Sequence, residues 1–172
     1  MIEQTISIPH YTDFMFVNYI GSDIIKSDLF KRGISQTHHG RTTVANHSLR
    51  VAMMSTRIGL FLYRHGFRVD LSSLIKSALT HDVGIIGRDD GRFHGLKECC
   101  LFQHPKDSLK VYKICYGSLN SIEFNAIRTH MFPFCLSLPI YRESWILTIS
   151  DKIVSIIEIT TDTDKKIDWS RL

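Results

Sequence analysis

The chain lacks a long apolar run, a Cys-x-x-Cys pair, a basic arm and any repeated or biased tract, and each absence removes a class of protein. Its most apolar C-terminal stretch, Trp145 to Ile159, is broken by Ser150, Asp151 and Lys152 and falls short of the ~20 apolar residues that span a bilayer, so no membrane span is expected. The opening residues, Met1-Ile2-Glu3-Gln4, have no basic segment ahead of an apolar one, so no secretory signal is expected either. Four cysteines, Cys99, Cys100, Cys115 and Cys135, show no metal-knuckle spacing. They read as reduced thiols in a cytoplasmic protein. Lys and Arg number 21 against 17 Asp and Glu, scattered along the chain, which suits a small anionic substrate better than duplex nucleic acid.

What remains is an ordinary globular composition, 44% hydrophobic and 22% charged over 172 residues, the size of one domain. No segment alternates convincingly as a strand, whereas about six carry helical caps and periodicity, so the fold class is all-α. Residues 1–37 are expected to form an N-terminal helical extension, with Ser22 or Asp23 as a cap and Gly33 as a stop. Thr42 or Thr43 should cap a long helix to about Arg64, ended by Gly66, and Asp70 should cap a helix from Leu71 to about His81. Residues 85–103 read as an exposed loop. Pro105 is placed at the first position of a helix over 106–116, and Asn120 or Ser121 opens another to about His130. Ser144 is expected to cap the last helix, through about Ile159. Residues 38–160 make the candidate core and 161–172 a polar tail.

Charged groups inside this pattern carry the chemistry. Asp151 sits among apolar neighbours in a helix, and a buried carboxylate needs a neutralising partner. His47, His81 with Asp82, His104, His130 and Asp151 are spread over five successive elements, with gaps of 34, 22, 26 and 21 residues. Each gap is about one helix plus a turn, which can bring the side chains to one point in a bundle. A single buried histidine is usually a satisfied core residue; four with two aspartates at this spacing point to metal.

The stretches His47-Ser48-Leu49-Arg50-Val51-Ala52, Leu79-Thr80-His81-Asp82-Val83-Gly84 and Ile149-Ser150-Asp151-Lys152-Ile153 together resemble the HD superfamily of metal-dependent phosphohydrolases, over roughly residues 38 to 160. His104 and His130 look like the extra pair of its two-metal members, such as the HD-GYP cyclic-dinucleotide phosphodiesterases and related single-domain proteins. The resemblance implies a helical bundle with a metal site in its core, holding two divalent transition-metal ions. Asp82 would bridge them, with His47, His81 and Asp151 on one ion and His104 and His130 on the other.

Imidazoles with carboxylates suit Fe, Mn, Co or Zn, and two ions ~3.5 to 4 Å apart can hold a bridging hydroxide that attacks phosphorus. The expected reaction is hydrolysis of a phosphate mono- or diester of a nucleotide or other small phosphorylated metabolite. Ile85 stands where HD-GYP proteins carry a lysine, and the Gly-Tyr-Pro signature is missing, which disfavours a cyclic dinucleotide. Arg50, Arg88, His94 and Lys97 are the candidate substrate contacts, with Arg92 in the same loop; Lys152 is read as structural. The competing expectation is a mixed-valent di-iron oxygenase of the same superfamily, cleaving a C-C or C-P bond.

Overall fold

The computed structural model describes residues 8–37, 42–86 and 100–161. Among them the regular structure is helical: α1 (Ile8–Ile25), α2 (Asp28–Arg32), α3 (Val44–Arg64), α4 (Leu71–Thr80), a 3-10 turn (Val83–Ile85), α5 (Cys100–Cys115), α6 (Ser121–Thr129) and α7 (Arg142–Thr160). The all-α expectation holds.

Local chemistry sets most of these boundaries. Thr43 accepts a hydrogen bond from the Asn46 amide at 3.3 Å, and Asp70 takes the Ser73 amide and hydroxyl at 3.0 and 2.7 Å. Asn120 and Glu123 form a reciprocal capping box at 2.9 and 3.0 Å, satisfying two amides that a helix start leaves open. Gly66 ends α3 with φ +85°, where a side chain would be strained.

These caps also align the helices. Asn120 donates from its amide to the Ser73 hydroxyl at 2.8 Å, and Glu143 takes the Asp70 amide at 2.7 Å. The starts of α4, α6 and α7 are thereby tied together, and the three helices pack on one another. His81 lies ten residues after Leu71, His130 nine after Ser121 and Asp151 nine after Arg142. At 1.5 Å per residue, each ligand candidate sits about 14–15 Å along its helix, so a shared start brings all three to one level.

The main core lies where α1, α3, α4 and α7 meet, with Leu49, Leu74, Ile75, Leu79 and Leu147 fully buried, each stabilising by about 1.5–3 kcal/mol relative to exposure. A smaller cluster of Leu109, Tyr112 and Ile127 joins α5 to α6, fixing the spacing of the helices that carry His104 and His130.

Four local expectations are corrected. Ser22 and Asp23 lie inside α1, and the cap is Ser27, whose hydroxyl takes the Phe30 amide at 3.2 Å; packing of α1 against α3 and α4 carries the helix through residues of modest propensity. Gly33 does end α2. Ser144 is not a cap, since α7 begins after Tyr141, and its hydroxyl instead reaches the Asn125 carboxamide at 2.7 Å. Pro105 lies inside α5, which starts at Cys100, so His104 is helical. At its other end the expected loop gives way to the buried 3-10 turn, Ile85 included; residues 87–99 lie outside the described residues.

Candidate metal centre

Two of the four histidines reach the site by the same device. His81 and His130 are the C-cap residues of α4 and α6, and each folds its ring back so that Nδ1 donates to the carbonyl three residues earlier, Ala78 or Ile127, at 2.8 Å. That bond satisfies a carbonyl left open at the helix end. It also places the hydrogen on Nδ1, leaving the Nε2 lone pair facing inward. His47 on α3 is set the same way by a carboxylate, its Nδ1 lying 2.7 Å from Glu158 Oε2.

These lone pairs converge on oxygens. His81 Nε2 lies 3.2 Å from Asp82 Oδ2 and 3.7 Å from Asp151 Oδ1. His47 Nε2 lies 3.1 Å from Asp151 Oδ1 and 3.7 Å from Asp82 Oδ2. On the other side, His104 and His130 Nε2 lie 3.2 and 3.5 Å from Asp82 Oδ1 and 2.7 Å from each other. Asp82 therefore turns one oxygen to each pair of rings.

Gly84 makes the second half of the site reachable. A Cβ there would lie 2.4 Å from the Ser108 amide nitrogen and 2.9 Å from the His104 carbonyl oxygen, and the Gly84 amide donates to the Ser108 hydroxyl at 3.0 Å. Only a glycine lets α5 approach closely enough for His104 to face Asp82.

The cluster is buried and built for positive charge. His47, His81 and His130 are fully buried, while Asp82, His104 and Asp151 are at most 5% exposed. Burial pushes the His47 and His81 imidazoles down, but the surrounding carboxylates outweigh it and hold them up at about 9 and about 10. Burial dominates at His130; it is brought down to about 4, with the pull of Asp82 opposed by His104 and His81. For Asp151 burial disfavours the charge, yet His47, His81 and Lys152 hold its carboxyl well below the usual range.

A metal ion competes with a proton for the same lone pair, and the donor set fits one. His81 Nε2 is buried with no hydrogen-bond partner among the described residues, although it faces two carboxylate oxygens. A cation between them resolves that contact. His47, His81 and Asp82 form one group, and Asp82, His104 and His130 a second, with potential ligand atoms within 4.8 Å of one another. Two adjacent groups that share Asp82 could thus bind divalent metals.

The HD domain model matches residues 44–156, about two thirds of the chain. The chain belongs to the HD domain family. No curated protein and no solved structure matches it. An HD domain with these His and Asp groups fits a metal-dependent hydrolase superfamily. No helix among the described residues is long and apolar enough to cross a membrane.

Of the candidate substrate contacts, Arg50 lies 2.8 Å from Glu158 Oε1, while Arg88, His94 and Lys97, with Arg92, lie outside the described residues. Lys152, read as structural, donates to Asp151 Oδ2 at 2.7 Å and to the His130 carbonyl at 3.1 Å, linking the two histidine pairs of this HD domain from behind. Glu158 was missed by sequence reasoning. It lies seven residues after Asp151, two turns along the same face, and is the lone acidic residue in an isoleucine-rich stretch; those were the available signals.

Proposed function

We propose that this HD domain is a metal-dependent phosphohydrolase that cleaves a phosphate mono- or diester of a nucleotide or other small phosphorylated compound. The observation that carries the reading is the division of Asp82, one carboxylate oxygen toward His47 and His81 and the other toward His104 and His130. In this reading His47, His81 and Asp151 complete one site, and His104 and His130 the other. Two bound divalent ions would supply Lewis acidity and an activated water.

The chain's own contribution is positioning and exclusion of bulk water. The Nδ1 hydrogen bonds aim Nε2 inward at three of the four rings, and Lys152 holds the second oxygen of Asp151. The low exposure of the cluster strengthens every interaction with developing phosphoryl charge. Substrate contacts are assigned to Arg50, Arg88, His94 and Lys97.

The test is metal analysis of protein purified without added metal, then a phosphate-release screen across nucleotides, sugar phosphates and cyclic dinucleotides, with and without dioxygen. Release that is abolished by chelation and indifferent to oxygen is expected. An oxygen-dependent product without phosphate release would replace this reading by the di-iron oxygenase.

A further inference from the structure

We propose that Glu158 is a positioning residue that makes the His47–His81 site the tighter of two, so that the two sites fill in order. The inference rests on the metal-binding reading above and concerns how this chain tunes it.

The two halves of the cluster differ in what stands around the rings. At the first, Asp82 Oδ2 and Asp151 Oδ1 both face His47 and His81. At the second, Asp82 Oδ1 faces His104 and His130, whose Nε2 atoms are only 2.7 Å apart. Negative charge facing the rings is therefore concentrated on the first half.

The backing of the rings differs in the same direction. His81 and His130 each donate to a neutral backbone carbonyl, whereas His47 donates to a carboxylate at 2.7 Å. A charge-assisted bond of that length holds the ring more firmly and makes its outer nitrogen a stronger electron donor. Glu158 is itself held: its side chain is 2% exposed, and its other oxygen accepts from Arg50 at 2.8 Å, with the Thr42 hydroxyl at 3.5 Å. Arg50 also reaches the Thr42 hydroxyl at 3.3 Å. The carboxylate is thus fixed between α3 and α7 in the orientation that serves His47.

Calorimetric titration of the metal-free protein with Co(II), followed in parallel by the visible bands of the bound ion, tests this directly. Wild type should show two separable steps, and His104→Ala should keep only the tighter one. Glu158→Gln should weaken the first step by about 10–100-fold and leave the second unchanged, while Arg50→Met, which removes one holder of the carboxylate but keeps its charge on His47, should weaken the first step clearly less. Circular dichroism of the metal-free variants accompanies the titration; should Glu158→Gln fail to fold, the wild-type and His104→Ala titrations still decide the order of filling, and Glu158→Asp, whose shorter side chain draws the carboxylate back from His47, should weaken the first step in its place. Two equal steps in wild type, an unchanged first step in folded Glu158→Gln, or equal losses in Glu158→Gln and Arg50→Met would overturn the proposal while leaving metal binding intact. Absence of any Co(II) binding to wild type would overturn the metal-site reading itself.

Discussion

Replacing Gly84 by alanine should separate the two halves of the centre without touching any ligand. The new Cβ would lie 2.4 Å from the Ser108 nitrogen and 2.7 Å from the Asp107 carbonyl carbon, both backbone atoms of α5 that no rotamer change can clear. Ordinary contact begins near 3.4 Å, so α5 must retreat by about 1 Å. His104 rides on α5, and its 3.2 Å approach to Asp82 Oδ1 would open by a similar amount, enough to spoil a ligand geometry that tolerates about 0.2 Å. Overpacking of this kind costs about 1–3 kcal/mol, and each kcal/mol lowers the melting midpoint by about 2–4 °C in a chain of this size. The assay is metal stoichiometry by elemental analysis, together with a thermal melt. One ion should be lost and the other kept, because His47, His81 and Asp151 do not depend on α5. Wild-type stoichiometry with an unchanged melt would refute the close-approach argument.

Asp82→Ala should abolish both metal retention and phosphate release, since this residue faces both pairs of rings; retention of either ion at wild-type affinity would contradict a shared ligand. Asp151→Asn should lower the melting midpoint of the chelated protein, by about 1–3 kcal/mol of stability, because the Lys152 ammonium loses a carboxylate 2.7 Å away; equal midpoints would show that this pair carries no weight. The metal-free protein should lose stability in alkaline solution. The folded-state values of His47 and His81, about 9 and about 10, lie above the ordinary 6.5, so their contribution is fully present below pH 6.5 and is lost as pH rises through 9 to 10. Melts in chelator between pH 7 and 10 check this, and a flat profile would refute it.

Three helix starts set by a local hydrogen bond were legible, although the Ser27 cap of α2 was not. Thr43, Asp70 and Asn120 each cap through their own side chains, and that chemistry is written in a few consecutive residues. Where packing between distant segments decides, the pattern misled: α1 runs through Ser22 and Asp23, and α5 continues across Pro105 against the Gly84 turn. The six ligand candidates were legible because their residue types and spacing are unusual for a core. Glu158 was not, because part of α7 departs from the ordinary arrangement. Its isoleucines at 149, 153, 156, 157 and 159 are exposed, while Ser150, Asp151 and the Glu158 side chain are buried. Reading polar residues outward and apolar ones inward places Ile146, Leu147 and Val154 correctly but turns Glu158 to solvent.

The candidate ligands come from five separate elements, and the first and last, His47 and Asp151, are 104 residues apart in sequence. An ion seated among them would act as a stitch through most of the domain, gripping the native chain and finding no such cage in the unfolded one. Free metal then becomes a stability variable: at a hundred times its dissociation constant a single site adds about 2.7 kcal/mol, comparable to a disulfide. With no thiol among the candidate ligands, the cross-link would be reversible, set by metal supply and undone by a chelator without any change in redox state.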